Sequence, residues 1–432
     1  MTTTRGIALY IGALLGPGLL VLPGLAAAKA GPASVLAWAG LLLLSGLVAV
    51  VFARFGTSLR SAGGVAEYVA AGLGERAGRA AGWCFLAGII AGAPIVCTMG
   101  AGYLTTSHPR QALAGGAMLA LLITLSRRGL RTSTGVQLAL VAVLLLVLVP
   151  AVGGALPSSH AANFRPFAPH GWSSIGSAAV VLMLSFFGWE AVAPLTSQFA
   201  DPRRQLPRVI GAAFAVTTVI YLALATVTVA ALGPAAGTQV PMTALLALSI
   251  GPAGQVVAAV AAVLLTLGTV NAYLTGGAAL ARTVSGPSPA TPRWFPISLI
   301  VSGVVILGLI GVGVVPVATA VTIPTSFILV VYVGCMLSAA RTMPGRLRLA
   351  AVVAAVANLL LLAYAGRTAL PAILVAAFAA VMPRARTPRV DAPPAGVLPS
   401  RDAAPRAGLP EHAGRPGTVC PGTVCPGTVR PG

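Results

Sequence analysis

Apolar residues fall along this chain in long runs, and polar residues collect between them. Twelve runs reach or approach the roughly 20 residues that a helix needs to cross the hydrocarbon of a bilayer. They cover 6–28, 33–53, 80–103, 111–126, 136–156, 173–199, 209–232, 254–281, 295–315, 318–340, 347–365 and 368–382. The pattern predicts a helix over each, the fourth and twelfth being short. Residues 240–250 are apolar but too short to span, and read as an interfacial or re-entrant piece. The first run begins almost at the N-terminus and is expected to be a retained span and not a signal peptide.

Composition agrees with the pattern. Hydrophobic residues make up 57% and charged residues 8% of the 432 positions, with mean hydropathy +0.94. A soluble surface needs about 25% charged residues, so soluble domains are excluded. The expected fold class is an all-α polytopic membrane protein with the lipid bilayer as its main partner.

The net charge of +20, from 27 basic and 7 acidic residues, might suggest nucleic acid. No basic patch is interleaved with aromatics, and the positions of the arginines give another reading. With the N-terminus inside and the loops alternating, sixteen basic residues fall inside and four outside (Lys29, Arg110, Arg165, Arg367), with seven more in the C-terminal tail. Basic residues mark cytoplasmic loops. The expectation is a bacterial plasma-membrane protein with both termini cytoplasmic. Cys84, Cys97 and Cys335 lie within apolar runs, Cys420 and Cys425 lie in the tail, and the four histidines are scattered. No metal site or cofactor is expected from such a distribution.

From about Arg384 the sequence turns to Pro, Arg, Ala and Asp and ends in a Pro-Gly-Thr-Val-Cys repeat around 416–431. Residues 384–432 are expected to form a disordered cytoplasmic tail, leaving 1–383 as the membrane domain.

Two runs carry helix breakers near their middle. Gly16-Pro17-Gly18 interrupts the first, followed by Pro23. Phe186-Phe187-Gly188-Trp189-Glu190 interrupts the sixth, followed by Pro194. A lone Gly-Pro-Gly also fits close helix packing. One break in each half, in helices that run oppositely, fits a five-plus-five inverted repeat (about 6–156 and 173–340) with two extra helices at 347–382. A broken helix frees backbone groups in the membrane. Amides of Gly18, Leu19 and Leu20, at a positive helix end, suit a carboxylate. Carbonyls of Ser185, Phe186 and Phe187 suit an ammonium. Together the half-sites describe a zwitterion such as an α-amino acid.

Glu190 is the one acid in the core of a span. It either carries a coupling proton or is a structural carboxyl bonded to amides at the break. With no second acid for a cationic side chain, a neutral, apolar substrate is favoured. Pro94, Cys97, Thr98, Asn271, Tyr273, Thr322, Pro324, Thr325 and Ser326 are candidate walls, though packing is the more ordinary role for each.

Three motifs carry a resemblance. They are residues 12–18 (Gly-Ala-Leu-Leu-Gly-Pro-Gly) with Leu22-Pro23, residues 61–68 (Ser-Ala-Gly-Gly-Val-Ala-Glu-Tyr), and residues 201–207 (Asp-Pro-Arg-Arg-Gln-Leu-Pro). In this combination and order the chain resembles the amino acid–polyamine–organocation superfamily across about 6–383, most closely its bacterial methionine and branched-chain amino acid exporters. The resemblance implies a twelve-helix fold with alternating access. It implies that Gly16, Pro17, Gly18 and Leu19 bind the substrate carboxylate, and that Phe186, Phe187, Gly188 and Trp189 bind the amino group, with an aromatic there acting as a gate. It suggests a secondary transporter, not an enzyme, exporting methionine, leucine, isoleucine or valine by proton antiport. Some relatives place a lysine in the fifth helix in place of sodium; residues 136–156 hold none, which leaves proton or sodium coupling open. Import or exchange of other amino acids is the alternative.

Two rival classes differ in testable ways. A membrane-embedded enzyme would want paired acids or a His–Asp pair, and the spans hold no histidine. A sensor would signal through its tail. A chain cut after Pro383 is expected to keep full function; loss of function on truncation would favour the sensor.

Overall fold

The computed structural model describes residues 3–59, 64–128, 134–189, 199, 201–285 and 291–381, all within one compact unit, Met1–Ala385. The expected tail lies outside the described residues, as do Glu190 and Pro194. Among the described residues the chain is all helical, without strands. The helices are α1 (Thr3–Leu14), α2 (Gly18–Ala30), α3 (Ser34–Ser58), α4 (Gly64–Leu73), α5 (Glu75–Ala101), α6 (His108–Arg127), α7 (Thr134–Ala155), α8 (Ser174–Leu182), α9 (Pro202–Leu232), α10 (Pro241–Ile250), α11 (Ala253–Ser285), α12 (Trp294–Gly311), α13 (Val317–Ala320), α14 (Thr322–Thr342), α15 (Gly345–Ala365) and α16 (Leu370–Val381).

Eight helical stretches among these residues are long and apolar enough to cross a membrane. Two of them, Gly18–Ser58 and Gly345–Val381, each hold two helices joined by a short 3-10 turn. The protein is a multi-pass membrane protein. Each of the twelve apolar runs carries helix, the first as the pair α1 and α2. The motif at 61–68, read from sequence as a loop, begins α4 at Gly64. The short run at 240–250 is the ten-residue α10.

Helix is the only regular structure open to such segments, because lipid offers no partner to a backbone amide or carbonyl. Side chains sort by size and shape. In α3, Trp38 is 1% exposed while Leu43 is 75% exposed. The second faces outward, where lipid replaces water and an apolar surface costs nothing. The start of α9 is set locally: Asp201 caps it by accepting from Arg204 N at 3.3 Å, with Pro202 in the first turn.

Small residues let the helices approach. A methyl group on Gly24 of α2 would lie 1.9 Å from the carbonyl oxygen of Thr238, a backbone atom that cannot yield cheaply. Around Gly40 of α3 a methyl group would meet nothing within 4 Å. Gly24→Ala is therefore expected to destabilise by about 1–3 kcal/mol, and Gly40→Ala to be neutral or stabilising by up to about 1 kcal/mol. Thermal unfolding of the two variants in one detergent checks this; equal unfolding temperatures would contradict the packing.

Candidate functional site

Both sequence breaks are breaks in the structure. Pro17 lacks an N–H and Gly16 and Gly18 flank it, so α1 ends at Leu14 and α2 begins at Gly18. The amides around the gap turn inward. Gly16 N–H donates to Leu14 O at 3.0 Å, Leu19 N–H to Gly16 O at 3.2 Å and Leu20 N–H to Pro17 O at 3.0 Å. The amides of Leu19 and Leu20, expected to be free, are thus occupied by tight local turns. That leaves Gly18 N–H at the head of α2.

In the second break, α8 tightens into a 3-10 turn over Met183–Phe186. Phe187 is extended (ψ 133°), and Gly188 has φ 153°, a region that favours glycine. The description stops at Trp189.

The fold brings the two breaks together. A methyl group on Gly18 would lie 3.1 Å from Ser185 Oγ. Between them stands a residue the sequence reading missed. The hydroxyl of Tyr221, from α9, lies 2.7 Å from Leu14 O and 2.7 Å from Ser185 O. One proton serves two carbonyls, each at the end of a broken helix. Nearby, Tyr332 OH donates to Phe186 O at 3.5 Å and Tyr103 OH donates to Leu20 O. The carbonyls of Ser185 and Phe186, expected to be free, therefore face tyrosine hydroxyls. A rule available from sequence could have found these residues: a tyrosine in the middle of an apolar helix needs a partner for its hydroxyl, and broken backbone supplies one. Ser185 Oγ itself is buried and has no partner among the described residues.

On one side of the breaks lies a cavity of about 430 Å³, within the range of about 300–1,000 Å³ usual for small-molecule sites. α1, α4, α5, α7, α11 and α14 wall it, together with the second break. Gly64, Val65 and Ala66 at the start of α4 and Gly276, Ala279 and Leu280 in the last third of α11 are among its lining. These positions adjoin the arginine-rich loops. Among the described residues no lining residue is charged; Gln137, Thr269 and Tyr273 supply the polar side chains, and seven glycines expose backbone.

The residues singled out from sequence distribute as follows. Phe187 and Gly188 line the cavity. Gly16 has open space where a side chain would be. Pro17 and Leu19 are buried behind it. Phe186 is buried, with ring centroids 5.8 Å from Trp38 and 5.2 Å from Tyr221. Trp189 is also buried, with its indole N–H donating to Ser45 Oγ at 2.9 Å. Of the candidate walls, Pro324 and Tyr273 line the cavity. Thr98, Thr325 and Ser326 instead bond carbonyls one turn back in their own helices. Among the described residues no group of His, Cys, Asp and Glu gathers that could hold a metal.

Comparison with known proteins agrees with this geometry. Residues 2–337 match the family described as amino acid permease. The uncharacterized amino acid permease YecA of Bacillus subtilis is 32% identical over 364 residues, 80% of this chain and 85% of the relative. The L-methionine/branched-chain amino acid exporter YjeH of Escherichia coli is 29% identical over 403 residues, 89% and 96% of the two chains. The branched-chain amino acid permease BcaP of Bacillus subtilis is 25% identical over 243 residues, about half of each chain.

Tyr221→Phe removes the shared donor while keeping the ring. With two buried carbonyls left short of a partner, the expected loss is about 1–2 kcal/mol of stability, read as a lower unfolding temperature in detergent. Faster amide exchange is expected at residues 14–20 and 182–187. An unchanged exchange pattern would mean that the hydroxyl does not hold the breaks together.

Proposed function

Because the chain belongs to the amino acid permease family, we propose that it moves neutral, apolar amino acids across the bacterial plasma membrane by alternating access, with export as the physiological direction. The observation that carries the substrate class is the uncharged cavity of about 430 Å³ beside the paired breaks. Its walls can desolvate an aliphatic or thioether side chain and offer nothing to a charged one. The names of the relatives YjeH, an L-methionine/branched-chain amino acid exporter, and BcaP, a branched-chain amino acid permease, point to methionine, leucine, isoleucine and valine.

In this reading the α-carboxylate lies at Gly16 to Leu19. Pro17 fixes the turn and Gly18 N–H is the donor at the positive end of α2. The ammonium group lies toward Ser185, Phe187 and Gly188, where the unpartnered Ser185 hydroxyl supports the assignment. Phe186, wedged against Trp38 and Tyr221, is the gate to the far side, and Trp189 steadies it through Ser45. Glu190 carries the coupling proton. A carboxyl in lipid is stable when neutral and needs a cavity or a partner when charged, which makes it a natural exchanger of protons against substrate.

The architecture proposed is twelve crossings with a five-plus-five inverted repeat and two additional helices. The opposed breaks and the correspondence between helices and apolar runs support it. Both termini are placed in the cytoplasm on the distribution of arginine. The cavity then opens inward, as an exporter awaiting cargo requires.

Flux in proteoliposomes tests the reading. Loaded methionine and leucine should leave with saturable kinetics, faster when the receiving side is acidic, and lysine and glutamate should not compete. Glu190→Gln should abolish the acceleration by the pH gradient while leaving exchange of substrate for substrate. Absence of saturable flux for both amino acids would sink the substrate class, and a gradient response preserved in the variant would sink the proton role.

A further inference from the structure

A second cavity, of about 300 Å³, lies away from the first, at the ends of α6, α11 and α12. Arg127 at the end of α6 and Arg293 just before α12 line it, with Ser126 and Thr291 as neutral donors. A third guanidinium stands beside it, Arg282 donating to Thr291 Oγ1 at 3.4 Å. The spans 108–127, 253–285 and 294–311 contain no acidic residue. The ion pair of Arg204 with Asp201 lies elsewhere in the molecule. This cluster of positive charge therefore has no carboxylate on its own helices to answer it.

The remaining lining is apolar, including Phe295, Leu299 and Ile123. The same helix, α12, turns Ile297, Ile300 and Val301 outward, each at least half exposed, as a lipid-facing surface. Trp294 adjoins the cavity, its indole N–H donating to Ser285 Oγ at 3.1 Å and its ring 5.5 Å from that of Trp83. Tryptophan collects at the level of lipid headgroups, which sets the depth of the cavity at the membrane interface. A charged rim above an apolar floor, at that depth, repeats the order of polarity in a lipid, headgroup above acyl chains.

We infer that this crevice binds an anionic phospholipid, with Arg127 and Arg293 gripping the phosphate and the acyl chains lying along α12. Guanidinium groups suit phosphate oxygens because their planar N–H pairs match them. Basic pockets between helices on the cytoplasmic side are favourable sites for such headgroups. A soluble phosphate would use the arginines but leave the apolar floor without an occupant. The inference is independent of which substrate the protein carries.

Native mass spectrometry of the full-length protein in detergent tests it, with phosphatidylglycerol and phosphatidylcholine of identical acyl chains as probes. The first bound phosphatidylglycerol should be favoured by at least about fivefold, roughly what one arginine near an anionic surface contributes. Arg127→Gln with Arg293→Gln should reduce that preference to the level of phosphatidylcholine, while Arg346→Gln with Arg348→Gln, at the start of α15, should not. Equal binding of the two lipids by the unmodified protein would overturn the proposal, as would an undiminished preference in the Arg127 and Arg293 variant. Full displacement of the lipid by an equal concentration of inorganic phosphate would show a free-anion site instead. Should the glutamine variant fail to fold, the unmodified protein's choice between the two lipids decides alone.

Discussion

Every amide and carbonyl inside a bilayer must find a partner within the protein, and the rest of this structure follows from that requirement. It makes the chain helical wherever it is apolar. It also makes any interruption costly, so the two interruptions that persist must be held by something. Here they hold one another. The Tyr221 hydroxyl reaches a carbonyl from each break, and local turns take up the amides of Leu19 and Leu20. What is left over, Gly18 N–H and Ser185 Oγ, is a small polar remainder in apolar surroundings. That remainder is where chemistry can be directed at a ligand.

The molecule is built unequally about these breaks. On one side, glycines thin the walls and a cavity opens. Outside its lining, Trp38 and Phe186 each meet Tyr221 edge to face and tilt against one another, and all three rings are buried. Edge-to-face aromatic contacts are worth about 0.5–1.5 kcal/mol each beyond their buried area. Phe186 and Phe187, adjacent in sequence, therefore have different surroundings: the first packs against Trp38 and Tyr221, and the second lines the cavity.

Much of the fold was legible in the sequence because membrane helices announce themselves by length and apolarity. The breaks were legible too, since proline and glycine act locally. The partners of the breaks were harder to read. Tyr221 lies more than 30 positions from Ser185 and about 200 from Leu14, and no local pattern links them. The reading of free amides and carbonyls failed for a related reason: a backbone group is free only until something in three dimensions reaches it. The short segment at 64–73 was missed as a helix because ten residues ending between charged positions look like a loop. Glu190 was singled out by composition alone, as the sole acid within the apolar runs, and it lies beyond the residues the structure describes.

The glycines of the cavity wall have a consequence for how such a protein can change. Where the wall is backbone, one added carbon reshapes the chamber without altering its polarity. At Gly92 and Gly276 the space for it exists: a methyl group on the first would just touch Pro324, and one on the second would meet nothing within 4 Å. Single-nucleotide changes from glycine to alanine are thus open to the lineage as graded steps, each taking volume from the chamber while the helices stay where they are. Diversification among proteins of this build need not wait for new binding groups; it can proceed by subtraction of volume.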